Sequence, residues 1–403
     1  MMAIVAASPL LSLFPMHLFT TRDAWNVFRQ KIAANPGAAA ELRAIAEPLL
    51  GQPAVTILDR PPGRQSPSPD PHDYFSVGPY WWPDPAKPDG LPYIRRDGEV
   101  NPEFHETDRP RMETMVQTVI ALAAQAFASP EPVAAQRFGA KAAQQVRAWF
   151  LNPQTQMNPH LEYAQGIPGL CKGRGIGIID TTMLVFMLDA ISYLPDNAWT
   201  PEDRTGLQKW VDRYLHWLQT SENGIAESKE HNNHGTWYDA QVIAFALYAG
   251  KKDVAKATIK NSAIRRIHDQ IRKDGSQPHE LARTLGLSYS TYNLLGFICI
   301  VEMARHVDID VWHDDDMTSE KLGAAMQFLI PYFKKPETWP YKQIHEYKGN
   351  TAILLLSMAS QRANSWVVPE IQALKPKPWN GMTYLSGNVR TNEGALPKAA
   401  ARA

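Results

Sequence analysis

Only two cysteines, Cys171 and Cys299, occur in 403 residues. Two cysteines make no disulfide framework and say little about compartment. No run of 18 apolar residues is present, so no membrane-spanning helix is predicted. Net charge is missing as well. Forty-one basic and 41 acidic side chains cancel, which argues against bulk electrostatic binding to nucleic acid. Several signatures of common chemistries are absent. There is no HExxH and no G-x-S-x-G, and the GRGIG at 173–177 lacks the rest of a phosphate loop and follows no strand. No exact internal repeat is visible, and strand-like alternation is almost absent.

What is present points to an ordinary globular chain with a substantial core: 44% hydrophobic and 20% charged residues. Twelve tryptophans and 14 tyrosines are many. Most belong in the core, and the remainder offer flat faces that suit sugar rings. Helical spacing of apolar residues dominates. It predicts helices at 21–35 and 37–50, then at 112–129, 133–151, 180–194, 201–220, 237–249, 254–272, 289–306, 319–333 and 350–362. Helices of this length joined by Gly- and Pro-bearing loops predict antiparallel hairpins. The fold class expected is therefore all-α, an open or closed (α/α) toroid.

Residues 51–110 break this pattern. They are rich in Pro, Gly and Asp, yet carry Tyr74, Phe75, Tyr80, Trp81, Trp82 and Tyr93. The aromatics argue against disorder, so an ordered arm wrapping the domain is expected. The domain is expected to span 21–375. Residues 1–20 read as a short signal or as an N-terminal core segment, and 376–403 as a loose, mildly basic tail. A signal would place the protein in the periplasm or outside the cell.

The densest polar stretch is Ser228–Gln241, SKEHNNHGTWYDAQ. Thr236 and Asp239 fit a capping box, which places Asn232, Asn233 and His234 in the loop before a helix N-terminus. Such a site favours an anion. An amide beside an imidazole can bind a carboxylate, and in a uronic acid that makes the C5 proton easier to remove. The competing reading is that these residues only cap the helix. In Asp274–Tyr292, Arg283 can clamp a carboxylate, and Tyr289 can act as acid, or as base if nearby positive charge lowers its pKa. A surface ion pair and a core edge are the plain alternatives. Arg174 in the glycine-rich 163–180 segment either meets an anion or is solvated. Trp81 and Trp82 form either a sugar platform or a staple for the arm. His231 and His234 lie three apart beside Glu230, but no third ligand is indicated, so no metal is expected.

NNHGTWYDAQ, followed about forty residues later by DGSQPHELARTLGLSY, resembles the alginate lyase family of helical-toroid polysaccharide lyases. The WWP stretch at Tyr80–Pro85, PYIRRDGEVNPE at Pro92–Glu103, and the YAQGIPG and GRGIGIID segments carry the same resemblance, which spans about residues 74–360. In motif it is closest to polysaccharide lyase family 38 and more distant from family 5. The resemblance implies an incomplete (α/α) toroid and β-elimination on an anionic polysaccharide, with no cofactor. It also implies roles. Asn233 neutralises the substrate carboxylate, and His234 assists or is the base for one epimer. Arg283 holds the carboxylate or orients the tyrosine, and Tyr289 is the general acid. Tyr80 or a neighbouring tryptophan belongs to a lid. The expected substrate contacts are Tyr80, Trp81, Trp82 and Arg174, with Asn232, Trp237, Tyr238 and His279. Two other functions stay open. A glycoside hydrolase would need paired carboxylates, such as Glu230 with Glu280 or Asp180. A non-catalytic sugar-binding protein would rely on Trp81 and Trp82.

Overall fold

The computed structural model describes residues 18–19, 22–61, 66–313, 316–360, 370 and 374. Apart from Leu18 and Phe19, the proposed N-terminal signal lies outside them, as does the C-terminal tail. Leu18 and Phe19 are buried, and both backbone N–H groups donate to Asp189.

The chain opens with α1 (Arg22–Ala34) and α2 (Pro36–Ala46), separated by the Asn35 cap. The hairpin of α3 (Asp108–Ala128) and α4 (Pro132–Phe150) follows the arm. Its three-residue connection makes the two helices neighbours. Next come α5 (Leu184–Ile191), α6 (Pro201–Thr220), the short α7 (Glu222–Glu227) and α8 (Asn233–Tyr248). The helix predicted at 254–272 runs as α9 (Lys252–Thr258), a π-turn at Ile259–Ala263 and α10 (Ile264–Gln270). A single turn, α11 (Pro278–Leu281), leads into α12 (Gly286–Ala304). Then α13 (Asp316–Lys334) and α14 (Asn350–Ala359) complete the described helices. The fold is the all-α toroid that the spacing predicted.

Two helices form its centre. From Gly235 to Leu247, α8 is buried on every side, and α12 is buried over nearly all its length. A helix that is apolar all round belongs inside a protein. They pack on each other, with α6 against α8 and α13 and α14 against α12. At Gly296 the α12 backbone comes so near that a Cβ would press on Thr236 and Trp237 of α8. The absent side chain sets that spacing. Among the described residues, no helix is long and apolar enough to cross a membrane.

The described part of the arm holds three of the four short strands among the described residues. β1 (Phe75–Val77) pairs in parallel with β4 (Tyr163–Gly166), and β2 (Trp81–Trp82) pairs antiparallel with β3 (Ile94–Arg95). Its base is fastened by buried Asp108, which accepts from Arg60 and from the Phe75 backbone. Trp81 of β2 and Arg95 of β3 border the same cleft as the first turns of α8 and α12, and Asn101 donates to the Trp81 carbonyl.

Candidate active site

The first turn of α8 begins earlier than the sequence predicted. Asn232 is the N-cap, its side chain accepting from the His234 N–H at 2.9 Å, and Asn233 and His234 are the first two helical residues. Thr236 is therefore a helix-interior residue, and no Thr236–Asp239 capping box forms. Asp239 instead accepts from Arg266 and Ser262, each at 2.7 Å. Asx caps compete well with threonine, and a buried aspartate takes the nearest cation. Arg266 also donates to the carbonyls of Ser228 and Glu230, which pins the loop ahead of α8. Gly235 fits beneath this clamp. A side chain there would collide with the Glu230 carbonyl and the Arg266 guanidinium.

Two buried carboxylates stand behind the first turn. Glu280 accepts from both the backbone N–H and the side-chain Nδ2 of Asn233, each at 2.7 Å. Glu227 lies 2.7 Å from His234 Nδ1. Burial pushes the Glu227 pKa up against the pull of His234, and pushes Glu280 up to about 7 against the Asn233 hydrogen bonds.

Across the cleft, Tyr289 sits in the first turn of α12. Its hydroxyl is 2.7 Å from the Tyr80 hydroxyl on the arm and accepts from Arg283 Nη2 at 3.0 Å. The Arg283 guanidinium lies 4.1 Å from the centre of the Tyr289 ring. Its fork does not face the cleft as a free clamp, because Asp97 of the arm takes it in bidentate fashion at 3.1 and 2.7 Å. Of the two roles suggested for Arg283, this placement fits orientation of the tyrosine. The condition set for Tyr289 as a base, a pKa lowered by nearby positive charge, is not met. Burial, reinforced by Tyr80, holds the phenol well above its ordinary value, and Arg283 only partly offsets this. Desolvation outweighs one cation that is already paired.

Asn232, Asn233, His234, Tyr80, Arg283 and Tyr289 line one cleft of about 490 Å³, together with Trp81, Arg95, Arg109, Gln165, Arg174, Asp180 and Glu230. Arg174 bonds only the neutral Gln165, at 3.0 and 3.2 Å, and stacks over Trp81. No carboxylate among the described residues pairs with it, so it can receive an anion. Gln165 is held at φ 47°, a conformation rare for a side-chain-bearing residue. Of the three carboxylates considered for hydrolysis, Glu280 is spent on Asn233. Asp180 is spent on Tyr74, Ser76 and Gln165. Only Glu230 remains for that work.

The structure brings together Asn232, Asn233, His234, Arg283, Tyr289, Tyr80, Trp81 and Arg174. It does not bring Trp82, Trp237, Tyr238 or His279 to the same wall. Trp237 is fully buried, stacked on Tyr292 and bonded to its carbonyl. Tyr238 is buried and donates to the Leu218 carbonyl. Both sit on a helix with no solvent face. Trp82 lies under Arg96 and bonds Glu99, which fits the staple reading. His279 packs edge-on against His231, while His234 turns to Glu227, so the two histidines three apart diverge. Asn233 and His234 were expected in a loop but stand in the first turn of α8, while Tyr289, expected to open a helix, stands in the first turn of α12, which begins at Gly286. Asp97, Arg109, Gln165 and Glu227 were missed. Asp97 and Arg109 meet partners far along the chain, Arg283 and Asp180, while Gln165 meets Arg174 nine residues on and Glu227 meets His234 seven residues on; no local pattern marks any of the four.

Helical toroid, basic cleft and tyrosine-tipped site define a carbon–oxygen lyase that acts on polysaccharides. The family model described as alginate lyase matches residues 61–339, and the chain belongs to the alginate lyase family. The crystal structure of an alginate lyase from Bacteroides ovatus matches with a TM-score of 0.82 and 35% identity, over 93% of this chain and 99% of that one. Alginate lyase A1-III from Sphingomonas species A1 shares the fold at 17% identity and a TM-score of 0.52, over 87% of this chain and 95% of its own. A form of A1-III complexed with a tetrasaccharide matches at 18% identity and a TM-score of 0.52, over 90% of this chain and 97% of its own. No curated protein matches.

Proposed function

We propose that this enzyme cleaves a 1,4-linked polyuronate, alginate or glucuronan, and leaves a 4,5-unsaturated uronate at the new end. The observation that carries the reading is the Tyr289 hydroxyl, bonded to Arg283 and Tyr80 in the same cleft as Asn233 and His234. Asn233 and Arg174 receive carboxylates of the chain. Donors aimed at the charge that develops as the C5 proton leaves supply the main stabilisation. Ionised Glu227 accepts a hydrogen bond from the Nδ1–H of His234 and so leaves Nε2 unprotonated to accept the C5 proton. The C5–H electron pair forms the C4=C5 double bond, the C4–O4 bond breaks, and Tyr289 gives its proton to O4. A phenol held in its neutral form suits that last step. Where the C5 proton faces Tyr289, the tyrosine must first release its own proton, which passes through the Tyr80 hydroxyl to solvent in the cleft; Tyr289 then takes the C5 proton and gives it to O4. A polymeric substrate supports action in the periplasm or outside the cell. The test is ultraviolet absorbance of the unsaturated product on mannuronate blocks, guluronate blocks and glucuronan. A rise is expected on at least one. New reducing ends without absorbance would instead mean hydrolysis, and no change on any polyuronate would overturn the reading.

A further inference from the structure

We propose that Glu280 is a positioning residue that fixes the side-chain amide of Asn233 and so lets the protonation of one buried carboxylate switch the site on and off. The inference rests on the role given to Asn233 above. Glu280 is 1% exposed, and each of its oxygens accepts one hydrogen bond from Asn233. An ionised carboxylate only accepts, so the amide nitrogen must point to it. Nδ2 has two hydrogens. One is held by Glu280, and because Asn233 lines the cleft, the other is the donor left for a substrate carboxylate.

Protonation breaks this arrangement. A neutral carboxyl has a hydroxyl oxygen that donates and accepts only weakly, so one of the two N–H groups of Asn233 loses most of its acceptor. Either the first N–H of α8 loses its partner, or the amide turns to offer Oδ1 to the acid. In both cases the donor that met the substrate is no longer held. The charged or titratable groups facing Glu280 are Arg283, on the segment that follows it, and His234 on α8. Both favour the carboxylate, and burial opposes them more strongly, which sets the carboxyl near neutral pH at about 7. The switch is therefore closed above that pH and opens as acid is added.

Turnover on polyuronate, followed by absorbance against pH, tests this in the wild type, Glu280→Gln, Glu280→Asp and Asn233→Ala. The wild type is expected to lose activity toward acid with a midpoint near the Glu280 value. Glu280→Gln is nearly the same size, so its melting temperature reports whether the fold survives. Folded, it should lose about 10²-fold in kcat, as a misplaced catalytic group does, and its acid limb should move off the Glu280 value. Glu280→Asp keeps a titrating group and should retain a limb with intermediate kcat. Adding Glu280→Gln to Asn233→Ala should cost nothing more. A folded Glu280→Gln enzyme with the wild-type limb and turnover overturns the proposal while a dead Asn233→Ala leaves the site reading intact. If Glu280→Gln does not fold, an unchanged limb and kcat in Glu280→Asp overturns it. An active Asn233→Ala enzyme overturns the site reading itself.

Discussion

On the floor of the cleft, Asn233 and His234 each rest on a carboxylate that solvent does not reach. On the arm, Trp81 and Trp82 rest under arginines and remain half-buried. Floor groups are held by charge-assisted bonds in a low-dielectric interior, where each bond is strong and an unmade one is costly. Arm groups are held by stacking and by bonds that water can replace. The two regions meet at few points, chiefly Asp97 with Arg283 and Thr284, His345 with the Gly98 carbonyl, and Tyr80 with Tyr289. The floor is built to keep its geometry, and the arm is built to be attached.

The sharpest way to break this contrast is on the floor. Tyr289→Phe and His234→Ala should each lower turnover by about 10²–10⁴-fold, the usual weight of a proton-transfer group. Far-ultraviolet dichroism should stay native. Near-wild-type rates in both would remove the floor from the chemistry.

A smaller effect is expected at the junction. The Asp97 carboxyl is pushed up by burial, but the Arg283 fork, with Arg95 and Thr284, more than reverses this and holds it well below 3.8. A depressed folded value means that its contribution is present in full above the unfolded pKa and is lost as pH falls through the folded one. The wild-type arm should therefore stay fastened down to strongly acid pH. In Asp97→Asn the charge is gone at every pH, so the arm should be cut by protease at neutral pH. Turnover should fall about tenfold, the low end for a charge-assisted contact that water still reaches. Equal protection of both arms would show that the junction does not hold.

The smallest effect on rate is expected at Trp237, where the sequence placed a substrate contact. Trp237→Phe loses a buried hydrogen bond to Tyr292 and should cost about 1–3 kcal/mol of stability. Its KM for polymer should not move, and a raised KM would return Trp237 to the cleft.

Legibility followed the range of the interactions. α6 begins and ends where the sequence placed it, since Pro201 and the Thr200–Asp203 capping box are local signals. The start of α8 was misplaced because Asp239 answers to Arg266, 27 residues on, rather than to Thr236. Asn233, His234, Arg283 and Tyr289 could be picked out because they sit in two short motifs. Asp97 could not, since its partner Arg283 lies 186 residues on, and Glu227 could not, since its bond to His234, seven residues later, depends on how the chain turns between α7 and α8. The direction of the Tyr289 shift was also out of reach. It depends on how deeply the ring is buried, and no motif states depth.

The contact between the Tyr80 and Tyr289 hydroxyls has one more consequence. Tyr289 has one proton to give, and Arg283 already donates to its oxygen. A Tyr289 that donates to Tyr80 must change partners before it can protonate a glycosidic oxygen, whereas one that accepts from Tyr80 keeps that proton free to meet the sugar.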